Sequence, residues 1–265
     1  MVAAARRALD ERRIGHLGTL DPFATGLLVL LVGRATRLAR YVDGEPKVYD
    51  AVIRFGRETT TDDLTGETTR TAPLPDPARV RECVTLLTGD IAQLPPAFSA
   101  KNVAGERAYA AAREGRAVEL RPSRVVVHEW RIHELDDEHA RVTVRCGGGT
   151  YIRALARDLG RLAGSAAHLE ALRRTASGPF EVGGALPLSR ISDAAACLRP
   201  AQDGVPHFVR RPLTEEERVL VTRGGSVAGG GEGDRAVLVD DGGRLVAVAE
   251  RIGDRWQPRV VLQDA

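Results

Sequence analysis

The order of apolar and polar residues along the chain predicts a mixture of helices and strands. Apolar, β-branched runs predict strands at 27–32 and 48–55, and the segments 125–135 and 140–146 predict a hairpin around an acidic turn. The segment 57–77, rich in Thr, Asp, Gly and Pro, is predicted to be a loop. Helices are predicted at about 2–12, 34–41, 77–87, 106–113, 150–162, 166–174 and 214–219.

The pattern changes towards the C-terminus. Beyond Pro200 the chain is polar and contains prolines up to Pro212, and it becomes rich in glycine after the short helix predicted at 214–219. There, Asp240-Asp241-Gly242-Gly243 separates the short apolar segments 236–239 and 245–249. Turn residues between two such segments are a strong signal for a β-hairpin. We therefore predict two domains, a larger one at 1–208 and a small β domain at 209–265.

Composition limits the class of protein. Of the 265 residues, 43% are hydrophobic and 28% are charged, which is ordinary for a globular protein. No apolar run approaches the roughly 20 residues that span a bilayer, and no signal peptide is evident, so we predict a cytosolic protein. Cys83, Cys146 and Cys197 are odd in number and widely spaced, so we expect reduced thiols rather than disulfides or a zinc site.

The net charge is small, but arginine is clustered. A value of +2 does not identify a nucleic-acid-binding protein, and a GC-rich coding bias accounts for most of the excess of arginine over lysine. Between 145 and 174, the arginines outnumber the acidic residues, and a positive face is predicted if the helices align them. These arginines are Arg145, Arg153, Arg157, Arg161, Arg173 and Arg174.

Asp21 lies in the segment with the most specific pattern, His16-Leu-Gly-Thr-Leu-Asp21-Pro-Phe-Ala-Thr-Gly26. Alone, an Asp beside Pro in such a loop is more often a turn residue. Further motifs follow in order: Gly33-Arg-Ala-Thr-Arg37, Lys47-Val-Tyr49, Thr61-Asp-Asp63, Gln93-Leu-Pro-Pro96, Ser99-Ala-Lys101, Gly149-Thr-Tyr-Ile-Arg153 and Leu172-Arg-Arg174. Together they resemble the motifs of the bacterial tRNA pseudouridine(55) synthases, the B family, over essentially the whole chain.

This resemblance implies both a fold and an activity. The implied fold is an α/β (α+β) pseudouridine-synthase fold with a mixed, largely antiparallel central sheet and flanking helices, followed by a PUA-like RNA-binding β domain. The implied activity is isomerisation of uridine 55 in the T loop of tRNA to pseudouridine, with Asp21 as the catalytic carboxylate and with no metal and no cofactor.

The reaction needs a carboxylate that stays ionised while it is largely shielded from water. The bond from ribose to N1 must break, the base must turn while bound, and ribose must rejoin at C5. A carboxylate nucleophile suits this chemistry, whether it attacks C1′, adds to C6 or removes a proton to give a glycal. The resemblance nominates Arg153 as its guanidinium partner, although an arbitrary helix arginine more often faces solvent.

A stacked uridine must be extracted from the T loop, and the enzyme must offer a replacement surface. Aromatic residues are scarce at 4%, and Tyr49 and Tyr151 fall on family positions that line the uridine pocket. The resemblance implies that Tyr49 stacks on the flipped base and assists removal of the C5 proton, that Leu172 forms an apolar wall, and that His16 props the vacated space. The ordinary alternative is half-buried tyrosines and a core leucine.

The sequence offers two other acidic arrangements. Asp21 has no second carboxylate at a fixed spacing, so a glycosidase-type carboxylate pair is not supported. Asp62 and Asp63 are adjacent on a predicted loop, and such carboxylates are usually solvated, so we predict no metal site there.

Members of the resembled family normally begin with a strand that carries Lys-Pro-x-Gly, and this sequence has no such segment ahead of the helix near Val2. We expect the natural start to lie upstream of Met1. The alternative is a chain that lacks one strand and part of the floor of its active site, with an unpaired sheet edge.

The expected partner is tRNA, chiefly its T arm, recognised by loop shape, phosphate contacts and the extruded base. We expect a monomer that needs no membrane and no guide RNA. One alternative is an RNA-binding protein without turnover. Another resembles the archaeal and eukaryotic guide-RNA-dependent synthases, which share the Asp21 motif.

Overall fold

A computed structural model describes residues 1–98, 102–103, 106–107 and 120–263. The chain forms two compact units. The first contains Met1–Thr19, Leu28–Asp43 and Gly184–Ala265, and the second contains Leu20–Leu27 and Gly44–Gly183. Over the described ranges, no helix combines the length and the apolar character needed to cross a membrane.

The structure contains both helices and strands in each unit. The helices are α1 (Val2–Leu9), α2 (Pro77–Leu86), α3 (Ile152–Leu162) and α4 (Glu215–Thr222). The strands are β1 (Ile14–Leu17), β2 (Thr25–Gly26), β3 (Val29–Val32), β4 (Lys47–Phe55), β5 (Arg57–Thr59), β6 (Thr68–Thr71), β7 (Gly89–Gln93), β8 (Asn102–Val103), β9 (Glu106–Arg107), β10 (Ser123–Leu135), β11 (His139–Cys146), β12 (Ala167–Ser177), β13 (Phe180–Glu181), β14 (Val209–Pro212), β15 (Val227–Ala228), β16 (Arg235–Val239), β17 (Leu245–Ile252) and β18 (Arg255–Val261).

The second unit is built on one seven-stranded sheet in the order β13-β12-β4-β11-β10-β7, with β2 paired to β12. Only the pairing of β2 with β12 is parallel; the other strand pairs of this sheet are antiparallel. Alternate residues of β4, among them Ile53 and Phe55, face a core that is closed by Val80 of α2 and by Leu155 and Leu159 of α3. This confirms the predicted mixed, largely antiparallel sheet with flanking helices.

Helix α2 begins where the sequence predicts it. The Asp76 side chain accepts a hydrogen bond of 2.9 Å from the backbone N–H of Ala78, and Pro77 occupies the first helical turn. Such a cap stabilises a helix by ~1 kcal/mol. The buried face of α2 consists of Val80, Cys83 and Val84, which bind the helix to the sheet.

Four predictions of local structure are wrong or incomplete. The segment predicted as a helix at 166–174 is strand β12, and the predicted helix at 34–41 is a 3-10 helix over Gly33–Leu38. The predicted loop 57–77 contains the antiparallel pair β5 and β6. Of the helix predicted at 106–113, residues 106–107 form a short strand and 108–113 lie outside the described residues.

The first unit holds a five-stranded sheet in the order β14-β16-β17-β18-β15, in which only β14 and β16 are parallel. The turn predicted from Asp240 to Gly243 does connect β16 to β17, and Trp256 is fully buried in the core of this sheet. Helix α4 begins with a capping box between Thr214 and Glu217. The C-terminal β structure is confirmed, while the domain boundary at 208/209 stays a prediction.

Candidate active site

The loop that carries Asp21 ends in a close backbone contact with β12. Gly26 has a φ of 96°, and a Cβ there would lie 2.2 Å from the backbone oxygen of Arg174. The N–H of Leu27 donates to that same oxygen at 2.9 Å. Because only glycine accepts both the positive φ and the close approach, Gly26 fixes where the loop leaves the sheet.

Asp21 forms a two-point ion pair with Arg153 of α3. Arg153 Nε donates to Asp21 Oδ2 at 2.9 Å, and Arg153 Nη2 donates to Asp21 Oδ1 at 2.7 Å. The Arg153 side chain is 5% exposed, whereas that of Asp21 is 30% exposed. The guanidinium therefore holds the carboxylate from the protein side, and the other side of Asp21 is accessible to a ligand.

Arg153 is itself held by further acceptors. It donates to the backbone oxygens of Thr61 at 2.8 Å and Phe98 at 2.9 Å, and its Nε lies 3.8 Å from Asp63 Oδ2. Asp63 Oδ1 accepts from both the N–H and the hydroxyl of Thr65, at 2.9 and 2.6 Å. The orientation of the guanidinium is thus fixed by several contacts other than Asp21.

The prediction that Asp62 and Asp63 are solvated is wrong, since they are 7% and 4% exposed. Arg157 Nη1 donates to Asp62 Oδ2 at 2.8 Å, and Arg157 Nη2 donates to the backbone oxygen of Leu94 at 2.7 Å. Burial raises the pKa of the Asp62 carboxyl above its ordinary value, and the charge of Arg157 opposes that rise. These carboxylates serve as internal partners of the helix arginines.

One turn further along α3, Arg161 forms a two-point pair with Glu58 at 2.9 and 2.6 Å. Arg70 donates to the same carboxylate at 2.8 Å. The hydrogen bond from Arg161 holds the pKa of Glu58 below its ordinary value. Arg153, Arg157 and Arg161 recur every four residues, so they lie on one helix face and are neutralised by carboxylates. The predicted positive face is therefore not formed by these three residues.

Tyr49 lies on β4 opposite Arg174 of β12 and is 8% exposed. Burial raises the pKa of its hydroxyl, and the negative charge of Asp21 adds to the rise, while the hydrogen bonding and charge of Arg174 oppose it. Tyr49 is therefore within electrostatic reach of Asp21 and stays protonated at neutral pH.

Tyr151 directly precedes α3 and is half-buried. The side-chain amide of Gln93, which is 1% exposed, accepts from the Tyr151 N–H at 2.8 Å and donates to the Tyr151 backbone oxygen at 3.1 Å. Gln93 thus fixes the start of the helix two residues before Arg153. The sequence marked Gln93 only as the first residue of a motif and gave it no role.

Leu172 is 6% exposed and lies on β12, and with Phe23 and Thr25 it lines a groove of about 900 Å³ in the second unit. Asp21, Tyr49 and Arg153 do not line this groove. His16 lies on β1 of the first unit and is exposed. The structure thus brings Asp21, Arg153 and Tyr49 together in the second unit, and Tyr151 and Leu172 lie on adjoining segments of that unit. His16 belongs to the first unit.

The arrangement offers one accessible carboxylate, a fixed guanidinium and a buried phenol. Each carboxylate oxygen can accept two hydrogen bonds. The two-point pair with Arg153 uses one accepting position on each oxygen of Asp21, so a second position on each oxygen is left for a ligand. Within the described ranges, no group of three or more His, Cys, Asp or Glu side chains is arranged to hold a metal ion. The chemistry that the arrangement supports is attack by, or proton transfer to, an ionised carboxylate.

Comparison with known proteins gives consistent results. Residues 6–152 match the TruB family pseudouridylate synthase N-terminal domain, and residues 153–218 match the tRNA pseudouridylate synthase B C-terminal domain. The chain is 43% identical to the tRNA pseudouridine synthase B of Thermobifida fusca (strain YX), over 98% of this chain and 92% of the relative. It is 38% identical to the protein of the same name from Paracoccus denitrificans (strain Pd 1222), over 97% and 89%.

Solved structures agree in fold. A structure described as an H/ACA RNP bound to a substrate RNA containing 2'-deoxyuridine superposes with a TM-score of 0.72 at 20% identity, covering 99% of this chain and 80% of that one. A Cbf5-Nop10-Gar1 complex gives a TM-score of 0.72 at 22% identity with the same coverage. At these identities the likeness establishes the fold alone, and it confirms the α/β fold implied by the sequence.

Proposed function

This chain belongs to the TruB family of pseudouridylate synthases, and we propose that within this family it converts uridine 55 in the T loop of tRNA into pseudouridine. As a member of that family it is an isomerase that forms pseudouridine. The observation that carries the finer proposal is the two-point pair between Arg153 and an Asp21 that remains 30% exposed.

Asp21 is proposed as the catalytic carboxylate. The pair with Arg153 fixes the plane of the carboxylate, so a reacting atom of the nucleotide can approach either oxygen from the accessible side without losing the contact with Arg153. Positioned ionic groups of this kind need no reorganisation when charge develops, and this lowers the barrier of the chemical step.

Tyr49 is proposed to stack on the flipped uracil. Its raised pKa keeps the phenol protonated at neutral pH, so stacking is better supported than direct removal of the C5 proton. Tyr151 and Leu172 are proposed as the other walls of the base pocket, and His16 as the residue that occupies the vacated space in the RNA.

The RNA partner is proposed to be the T arm of tRNA, gripped in part by the β domain at 209–265. We propose a cytosolic monomer that acts without a guide RNA. The relatives named tRNA pseudouridine synthase B, which the chain covers almost completely, support this more than the H/ACA complexes, whose likeness is one of fold.

A T-arm stem-loop RNA tests the proposal. Wild-type protein, in EDTA and without ATP or guide RNA, is expected to place pseudouridine at the T-loop position, mapped by primer extension. Asp21→Asn is expected to bind the RNA with similar affinity and to lose roughly a thousandfold or more in rate. Asp90→Asn, an exposed change on β7, is the matched control and should keep wild-type turnover.

Wild-type protein that bound the stem-loop but gave no product would refute the proposed activity. Product that depended on an added guide RNA would point to the guide-dependent class instead. An active Asp21→Asn variant would exclude Asp21 as the catalytic carboxylate.

A further inference from the structure

Arg174 is a buried charged residue that has no role in the proposed reaction of Asp21. It lies on β12 with 0% of its surface exposed. Burial of a guanidinium is costly unless polar groups satisfy it, so a fully buried arginine is retained only where it makes specific contacts.

The first contacts of Arg174 are with the end of the Asp21 loop. Its Nε donates to the backbone oxygen of Leu27 at 2.8 Å, and its own backbone oxygen accepts from the Leu27 N–H at 2.9 Å. The parallel register pairs Arg174 with Gly26, the residue whose positive φ ends the loop. Backbone and side chain of one residue therefore fix the same point of the loop.

The second contact of Arg174 is with Tyr49. The two residues are direct cross-strand partners on β12 and β4, so their side chains lie on the same face of the sheet. Burial raises the pKa of the Tyr49 hydroxyl, and the Arg174 side chain opposes that rise through hydrogen bonding and through its charge, so the two groups interact. The planar fork of arginine carries several N–H donors in fixed directions, so it can serve the Leu27 carbonyl and the Tyr49 oxygen at once, which a lysine ammonium does less well.

We infer that Arg174 is a positioning residue for pseudouridine formation, which ties the Tyr49 ring to the exit of the Asp21 loop and so sets the distance between the stacked base and the carboxylate. This inference rests on the proposed function of Asp21 and Tyr49. It requires no contact between Arg174 and the RNA. Removal of Arg174 should therefore slow the chemical step more than it weakens binding.

Single-turnover kinetics test the inference. With enzyme in excess over the T-arm stem-loop, Arg174→Met is expected to lower the rate roughly tenfold to a hundredfold, as misplacement of reacting groups does. The Kd for the same RNA, measured by fluorescence anisotropy, should change by less than about threefold. Arg79→Met, which removes an exposed arginine of α2, is the control for loss of charge and should leave both values unchanged.

A spectroscopic measurement distinguishes a specific effect of Arg174 on Tyr49 from a general loss of stability. In protein labelled at tyrosine ¹³Cζ, the Tyr49 resonance is identified by its loss in Tyr49→Phe. Its chemical shift should move in Arg174→Met, because the phenol loses the guanidinium of its cross-strand partner, and should not move in Arg79→Met. A folded Arg174→Met variant with the wild-type single-turnover rate, or with an unmoved Tyr49 resonance, would overturn the inference.

If Arg174→Met does not fold, Arg174→Lys provides a second test of the inference. It retains the charge but not the fork, so it should lose roughly tenfold in rate, and a folded lysine variant with full activity would equally overturn the inference. Failure of the proposed function has a different signature, which is an inactive wild type. Failure of the inference shows instead as an active wild type together with a folded variant that keeps either the wild-type rate or the wild-type Tyr49 resonance.

Discussion

Arg153→Lys is the most direct test of the candidate site, because it keeps the positive charge and changes only its geometry. Arg153 donates to both carboxylate oxygens of Asp21 and to the backbone oxygens of Thr61 and Phe98. A lysine has its three N–H donors on one nitrogen, so it cannot reach acceptors that are spread around a planar guanidinium.

The structure sets the expected size of the effect. If lysine keeps one contact with Asp21 and one with a backbone oxygen, it loses the other two of the four hydrogen bonds. At ~1.5 kcal/mol or more for each hydrogen bond to a charged group, the free energy of unfolding should fall by ~3 kcal/mol. The lower end of the range applies because water reaches Asp21, whose side chain is 30% exposed. A carboxylate that has lost its fixed plane should also slow the chemical step ~100-fold.

Urea unfolding followed by circular dichroism and single-turnover assays on a T-arm stem-loop measure the two effects. Arg161→Lys is the matched control, since it is on the same helix and also makes a two-point pair, but its side chain is 52% exposed. Glu58 is buried but keeps Arg70 as a second donor, and water reaches Arg161, so this control should lose clearly less stability than Arg153→Lys and keep a rate close to wild type. An Arg153→Lys variant that matched Arg161→Lys in stability and rate would show that the two-point geometry is unimportant.

Three further predictions concern stability and are tested by denaturant unfolding. Gly26→Ala places a methyl group 2.2 Å from the Arg174 backbone oxygen at a φ of 96°, so it should cost ~3 kcal/mol or more; a variant of wild-type stability would contradict that contact. His168 is fully buried, its Nδ1 lies 3.0 Å from the Arg57 backbone oxygen, and burial lowers the pKa of its imidazole. At a pH below 6.5, the ordinary pKa of histidine, the imidazole is protonated in the unfolded chain but stays neutral in the folded chain. The contribution of His168 to the free energy of unfolding is therefore fully present above pH 6.5 and is lost as the pH falls. His168→Asn, which keeps a donor but does not titrate, should reduce the slope of unfolding free energy between pH 7 and 5 by up to ~1.4 kcal/mol per pH unit, and an unchanged slope would exclude this cause. Asp76→Ala removes the cap of α2 and should cost ~1 kcal/mol, whereas an unchanged midpoint would mean that the cap contributes nothing.

The elements that the sequence predicts well are those whose local pattern agrees with their tertiary packing. Helix α2 has a capping residue, a proline in its first turn and an apolar face, and the turn at Asp240 has the residues of a hairpin. Strand β12 was predicted as a helix because Ala, Leu, Glu and Arg favour helices. Its β-bulges, between Leu169 and Ala171 and between Arg174 and Ala176, also interrupt the alternation that marks a strand.

The site was predictable only in part, because its members are far apart in the chain. Asp21 and Arg153 are separated by 132 positions, and no periodicity links them, so their pairing was expected from the family resemblance and not from the residues themselves. The sequence predicts a solvated Asp63, because adjacent carboxylates on a loop are usually solvated, whereas the structure buries it. The spacing of Arg153 and Arg157 on one helix face was the available signal that this face would require acidic partners.

The exposure of the three arginines of α3 decreases towards Asp21, and this gradient should affect how freely each of them changes in evolution. The side chains of Arg161, Arg157 and Arg153 are 52%, 7% and 5% exposed. At the outer position, water reaches the Arg161 guanidinium, and the 5% exposed Glu58 keeps Arg70 as a second partner, so Arg161 can be exchanged among descendants of this gene at lower cost. At the inner positions, a single replacement leaves an uncompensated ion in a dry interior, so both partners must change together. Lineages should therefore diverge first at the outer end of this helix and last beside Asp21.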